Sequence, residues 1–187
     1  MQQIEIRPVT LVLGGVRSGK SRYAQQLAQR VDRVTFIATA ERRDDEEMLR
    51  KIELHRAERP SHWATIEEPL DLAGAIQSAA ADCDLLLIDC LTLFAANILE
   101  ADGEDPERLE SRIDTFCASL KSVLCAIVLV SNEVGSGVVP AYPLGRRFRD
   151  LVGEINQRVA AVADNVFLMV AGLPLALKGS VNPEGQP

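Results

Sequence analysis

Aromatic side chains make up 4% of this 187-residue chain, with one tryptophan and two histidines. The core must therefore be built from aliphatic residues, and any chemistry that needs an imidazole has two candidates, His55 and His62. Runs of Lys and Arg longer than two residues are missing, and the net charge is −7. An acidic chain without a basic patch argues against nucleic-acid binding, although a local anion site can still be positive. The four cysteines, Cys83, Cys90, Cys117 and Cys125, lack C-x-x-C spacing and lie in apolar segments. Buried, reduced thiols and a cytoplasmic location are the expectation. The start MQQIEIRP carries an acid early and no long apolar core, so no signal peptide is expected. The apolar run VLCAIVLV (123–130) is too short to span a bilayer.

Short aliphatic runs alternate with longer amphipathic segments. TLVLGG (10–15), VTFIAT (34–39), DLLLID (84–89), CAIVLVS (125–131) and VFLMVAG (166–172) read as strands, the last of these as the final clear one. ATIEEP reads as a short strand. Helices are expected over Ser18–Val31, Asp44–Glu58, Leu70–Ala81, Leu91–Glu100, Pro106–Ser122 and Leu144–Ala163. Strands apolar throughout, alternating with helices, imply a mostly parallel sheet covered on both faces, a doubly wound α/β fold. One domain over 1–187 is expected, with 1–8 and 179–187 as peripheral tails. In such sheets ligands bind at the carboxyl ends of the strands. That rule points to the loops after Leu13, Thr39, Asp89 and Ser131.

The stretch GGVRSGKS (14–21) matches G-x-x-x-x-G-K-[ST], after an expected strand and before an expected helix. Glycines let the backbone aim its N–H groups at a phosphate, and the helix N-terminus adds positive potential. Lys20 would reach the terminal phosphates and Ser21 would hold Mg2+. By chance the four fixed positions recur in roughly one chain in a hundred, and the flanking context lowers that further. Asp89 ends DLLLID. An acid at the tip of a strand neighbouring the phosphate loop is placed to touch Mg2+; the alternative is an N-cap for the helix starting at Leu91. Asn132 and Glu133, at another strand end, suit substrate or metal contact, or a loop that caps itself. Arg146 and Arg149 either bind a substrate phosphate or pair with Asp150 and Glu154.

His55 shares an apolar face with Met48 and Ile52 at i, i+4, i+7 spacing. A half-buried structural role fits that pattern. A neutral imidazole can also attack phosphorus to give a phosphoramidate, with Arg56 and Arg59 at hand for phosphate oxygens. His62, after a proline and before Trp63, reads as an exposed loop residue.

From about Thr10 to Lys178 the chain resembles the bifunctional adenosylcobinamide kinase / adenosylcobinamide-phosphate guanylyltransferase family. The resemblance rests on LVLGGVRSGKSRYA, HRAERPSHW, LLLIDCLTLFAANIL and SNEVGSGVVPAYPLGRRF. It implies a P-loop, RecA-like fold and two reactions. Adenosylcobinamide is phosphorylated by ATP or GTP, and GMP from GTP is then passed through a histidine to adenosylcobinamide phosphate. That histidine maps onto His55. The implied nucleotide contacts map to Gly14, Gly15, Val16, Arg17, Ser18, Gly19, Lys20, Ser21, Ala38, Thr39, Ala40, Arg56, Ala57, Glu58, Arg59, Glu67 and Asp89, with Mg2+ at Ser21 and Asp89. A homotrimer is implied as well. Two other readings compete: a P-loop kinase for another metabolite, in which His55 is dispensable, and a nucleotide switch or assembly ATPase. Against a guanine-nucleotide switch, no N-K-x-D block is present.

Overall fold

The computed structural model describes residues 8–41, 59–103 and 105–180. The expected helix Asp44–Glu58, and with it His55, Arg56, Ala57 and Glu58, lies outside the described residues.

Seven strands form one sheet: β1 (Val9–Gly14), β2 (Val34–Ala38), β3 (Ala64–Glu67), β4 (Leu85–Asp89), β5 (Ala126–Asn132), β6 (Asn165–Val170) and β7 (Leu173–Lys178). Their order is β3-β2-β4-β5-β1-β6-β7. Every neighbouring pair is parallel except β6–β7. The central strands read as continuous aliphatic runs because both of their faces are covered. Alternate residues of one run serve opposite faces. Leu86, Ile88, Ile127 and Leu129 enter one core cluster, while Leu85, Leu87, Val128 and Val130 enter the other.

Helix α1 (Lys20–Ala28) covers the second face, pressing Ala24 and Ala28 onto it beside Phe36 and Trp63. Four helices supply the larger cluster: α2 (Leu72–Ala79), α3 (Leu91–Asp102), α4 (Pro106–Ser122) and α5 (Pro143–Val162). This is the doubly wound, mostly parallel α/β architecture expected. Local chemistry starts the helices where the sequence puts them. The Asp71 carboxylate accepts from Gly74 N, and Asp105 accepts from Glu107 N and Arg108 N with Pro106 behind it. Where α3 meets α4, Asp102 takes two hydrogen bonds from Arg112, whose third N–H reaches the Leu70 carbonyl. That pairing holds the Asp102 carboxyl below its ordinary value.

Three expectations change. First, VFLMVAG is not the last strand. The chain turns through Ala171 and Gly172, both at positive φ, and β7 returns antiparallel along β6. Pro174 lies within β7, and an edge strand tolerates the missing N–H. Second, β4 is not the sheet neighbour of the phosphate-loop strand, because β5 lies between β4 and β1. Third, the cysteines are free but not all buried: Cys83 and Cys125 are, while Cys90 and Cys117 are half-buried. The Cys83 thiol is pulled down to about 7, chiefly by its hydrogen bond with Cys125. Among the described residues no helix is long and apolar enough to cross a membrane.

The rings of Phe94 and Phe116 meet at 5.4 Å between centroids and are 0% and 1% exposed. Phe94→Ala is expected to cost about 3–5 kcal/mol, read as a lowered urea midpoint with an unchanged denaturant slope.

Candidate nucleotide site

The carboxyl edge of the sheet gathers most of the residues singled out in the sequence. β1 ends at Gly14, and the loop to α1 turns over that edge. A side chain at Gly14 would strike the Ser18 hydroxyl and the Met169 carbonyl of β6. Gly19 has φ +95, and a Cβ there would come within 3.1 Å of the Gly172 Cα; glycine is required on both counts. Arg17 also adopts positive φ, at 58°. Strained backbone of this kind persists only where its surroundings impose it. Here the surroundings are two braces. Glu133 N donates to the Gly14 carbonyl at 3.0 Å, and Gly172 N donates to the Ser18 carbonyl at 2.9 Å. Gly15, Val16 and Arg17 remain exposed at the loop crest. Ser18 is buried, and its hydroxyl has no hydrogen-bond partner within the protein.

Lys20 opens α1 and folds back, its Nζ donating to the Gly15 carbonyl at 3.1 Å. Burial pulls this ammonium below the ordinary lysine value, against the opposing fields of Asp89 and then Cys90. The lysine and the Asp89 carboxylate therefore interact although β5 separates their strands. The reason is the path of α1, which packs over β1, β5 and β4 in turn. Ser21 follows in the first turn of α1. The oxygen donors at this edge, a hydroxyl and a carboxylate, are of the kind a hard divalent cation takes, with phosphate and water completing its shell. The N-cap of α3 is Cys90, not Asp89, and no side chain caps it.

Ala38 is paired in register with Asp89 on one side and with Glu67 on the other, so these residues share the edge. Thr39 is fully buried, with its hydroxyl bonded to Cys90; Ala40 is half-buried beside it. Arg59 places its guanidinium 3.4 Å over the Phe36 ring, on the face that α1 covers. His62 is exposed in the turn before Trp63, as expected.

At the end of β5, Asn132 N donates to the Thr92 hydroxyl and Asn132 O accepts from Asn156 Nδ2. Glu133 caps its own loop through Gly135 N. Arg146 donates to the Pro140 and Ala141 carbonyls, and Arg149 pairs with Asp150. Those two arginines are not drawn to the phosphate loop by any of these bonds.

Sequence reasoning passed over Cys90, whose thiol is pushed up to about 11 by burial and Asp89. Thr92, Asn97 and Gly172 were passed over too. Only Gly172 carried a signal, as a glycine closing a strand; the others act through contacts distant in sequence.

Residues 10–177 match the family described as cobinamide kinase / cobinamide phosphate guanyltransferase. The chain is 48% identical over 170 residues to the bifunctional adenosylcobalamin biosynthesis protein CobP of Pseudomonas aeruginosa, covering 90% of this chain and 96% of that one. It is 40% identical over 179 residues to the bifunctional adenosylcobalamin biosynthesis protein CobU of Salmonella typhimurium, covering 90% and 98%. Among solved structures, the RadB recombinase aligns with a TM-score of 0.46 and 13% identity, over 86% of this chain and 73% of that chain.

The lowered pKa of Lys20 gives a signed test. A triphosphate against the ammonium raises its pKa again, so between the two values binding takes up a proton. Nucleotide affinity should therefore fall as pH rises through the lowered value of the free protein. Calorimetry in two buffers of different ionisation enthalpy reads that proton directly. Lys20→Met, with no proton to gain, should bind about tenfold or more weakly with a flat pH profile over the same range.

Proposed function

The chain belongs to the cobinamide kinase / cobinamide phosphate guanyltransferase family, and we propose that it carries both reactions in one P-loop nucleotide-binding domain spanning residues 1–187. The observation that carries this reading is the half-buried Lys20 ammonium, tied to the Gly15 carbonyl and facing Asp89. A cation so placed, beneath a ring of loop N–H groups, suits a triphosphate.

In the first reaction the phosphate loop, Gly14 to Ser21, orients a nucleoside triphosphate, ATP or GTP. The hydroxyl of adenosylcobinamide attacks the γ-phosphorus. A phosphate ester forms, the nucleoside diphosphate leaves and the hydroxyl proton is released. In the second, GTP is bound and the neutral imidazole of His55 attacks the α-phosphorus. The bond to pyrophosphate breaks and a His55–GMP phosphoramidate results. The phosphate of adenosylcobinamide phosphate then attacks that phosphorus, freeing the imidazole and giving adenosyl-GDP-cobinamide. Lys20 follows the charge that develops on the leaving oxygens. Mg2+, held by Ser21 and Asp89, supplies further charge neutralisation when bound. Ala38, Ala40, Glu67 and Arg59 complete the nucleotide contacts on the β2–β3 side, together with Arg56, Ala57 and Glu58, while Thr39, fully buried and bonded through its hydroxyl to Cys90, stands behind them.

Asn132 and Glu133 lie beside the Gly14 carbonyl and are taken as substrate contacts ahead of Arg146 and Arg149 for that nearness alone, since Glu133, like the two arginines, already has a partner. We also assign a cytoplasmic location and a homotrimer. Association of copies would cover the exposed leucines of β7, Leu173, Leu175 and Leu177.

The test is incubation with Mg2+ and GTP labelled at the α-phosphate, without acceptor, followed by denaturing electrophoresis. Acid-labile label is expected on the unmodified protein and on His62→Ala, and none on His55→Ala. An unlabelled protein that still binds GTP would overturn guanylyl transfer and leave a kinase. Label on His55→Ala would move the nucleophile elsewhere.

A further inference from the structure

Thr39 stands one residue beyond the last ladder pair of β2 and β4, Ala38 with Asp89. Its single hydroxyl does what a further ladder pair would do. Thr39 Oγ1 donates to the Cys90 carbonyl at 2.7 Å and accepts from Cys90 N at 2.8 Å. Thr39 N donates to the Asp89 carbonyl at 3.4 Å. The Thr39 carbonyl accepts from Asn97 Nδ2 at 2.8 Å, and the same amide reaches the Pro69 carbonyl at 3.1 Å. Every polar group of Thr39 is thus bonded within the protein. The residue is 0% exposed, and Asn97 is 7% exposed.

The consequence falls on Asp89. Its own carbonyl and the N–H that follows it are both fixed from Thr39. The backbone that carries the carboxylate therefore has little freedom beside Lys20. A hydroxyl bonded twice to a neighbouring backbone is poorly placed to be a ligand as well. The geometry points to Thr39 as a positioning residue: its hydroxyl, clasped to both peptide groups of Cys90 and locked by Asn97, sets the Asp89 carboxylate for the divalent cation that accompanies the nucleotide. This rests on the reading of Asp89 as the Mg2+-side carboxylate. Partners that orient metal ligands from behind commonly change metal affinity about 10- to 100-fold when removed.

The experiment measures GTP binding by calorimetry, in EDTA and across a Mg2+ series, so that catalysis does not enter the readout. Thr39→Val keeps the shape of the side chain and removes the clasp. It should raise the Mg2+ concentration that gives half of the Mg2+-dependent gain in affinity about tenfold, with affinity in EDTA unchanged within about twofold. Thr39→Ser restores the hydroxyl and should restore the Mg2+ response. If Thr39→Val leaves Cys90 N too poorly satisfied to fold, thermal melting will report it. Thr39→Ala, with room for a water, and Asn97→Ala, which frees the Thr39 and Pro69 carbonyls but leaves the hydroxyl clasp, then carry the test, the latter with a smaller shift in the same direction. An equal loss of affinity in EDTA and in Mg2+ would make Thr39 a direct nucleotide ligand and overturn the proposal. A Mg2+ response unchanged in the Thr39 variants but shifted in Asp89→Asn would overturn the clasp alone. An unshifted Asp89→Asn would overturn the reading of Asp89, and the clasp's role with it.

Discussion

The Lys20 ammonium sits half-buried at the carboxyl edge of the sheet, and burial alone favours its neutral form. A neutral lysine would be a poor phosphate ligand. Three features oppose that pull: the Gly15 carbonyl at 3.1 Å, the Asp89 carboxylate and the Cys90 side chain. They come from two distant parts of the chain. The carbonyl is aimed by the glycine-rich turn. The other two are delivered by β4, two places away in the sheet. Lys20 can meet them only because α1 leaves the loop at an angle that carries it across β5. The sheet order, the helix path and the charge state of one side chain are therefore one constraint. In a protein of net charge −7, such a locally maintained cation allows an anionic ligand to bind against the overall field.

The loop depends on its neighbours in the same way. Left-handed Arg17 and Gly19 have no intrinsic reason to hold their shape. They are pinned by N–H groups from the segment after β5 and from the β6–β7 turn, Glu133 and Gly172. The hairpin that ends the described chain is thus part of the candidate nucleotide site. Removing β7 would loosen a brace on Ser18 as well as expose the edge of β6.

What could be read from the sequence follows from the range of the interactions involved. The phosphate loop, the apolar central strands and the Pro106 helix start are local, and GGVRSGKS, DLLLID and DPERL announce them. The insertion of β5 between β1 and β4 is a tertiary property that no window of residues contains. β7 was not expected; it contains Pro174, which a strand tolerates only at a sheet edge, and its edge position is a tertiary property. Thr39 was placed at the end of a strand and given a nucleotide contact by resemblance; its hydroxyl's partner Cys90 lies 51 positions away. The roles of His55 and its neighbours came from resemblance, since periodicity alone also fits a packing histidine.

Two phosphoryl chemistries on one cradle require the triphosphate to be approached at both ends. The γ-phosphorus must be open to a hydroxyl, and the α-phosphorus to an imidazole. A phosphate loop grips the terminal phosphates, and the proposed role of His55 requires the α-phosphorus to face the β2–β3 side of the edge. The crossover from β2 to β3 contains His55. It leaves the described chain at Glu41, beside Thr39, and re-enters at Arg59, stacked on Phe36 on the face of α1. Its two described ends flank β2, Glu41 near Asn97 and Arg59 on Phe36, which suits the proposed approach of His55 from the β2–β3 side. On the function proposed above, the kinase acceptor would take the opposite side, near Asn132 and Glu133. A single triphosphate pose can serve both reactions if the acceptor and His55 approach from these different directions; the nucleoside diphosphate of the first reaction must then leave, and GTP must take up the same pose, before His55 is guanylylated.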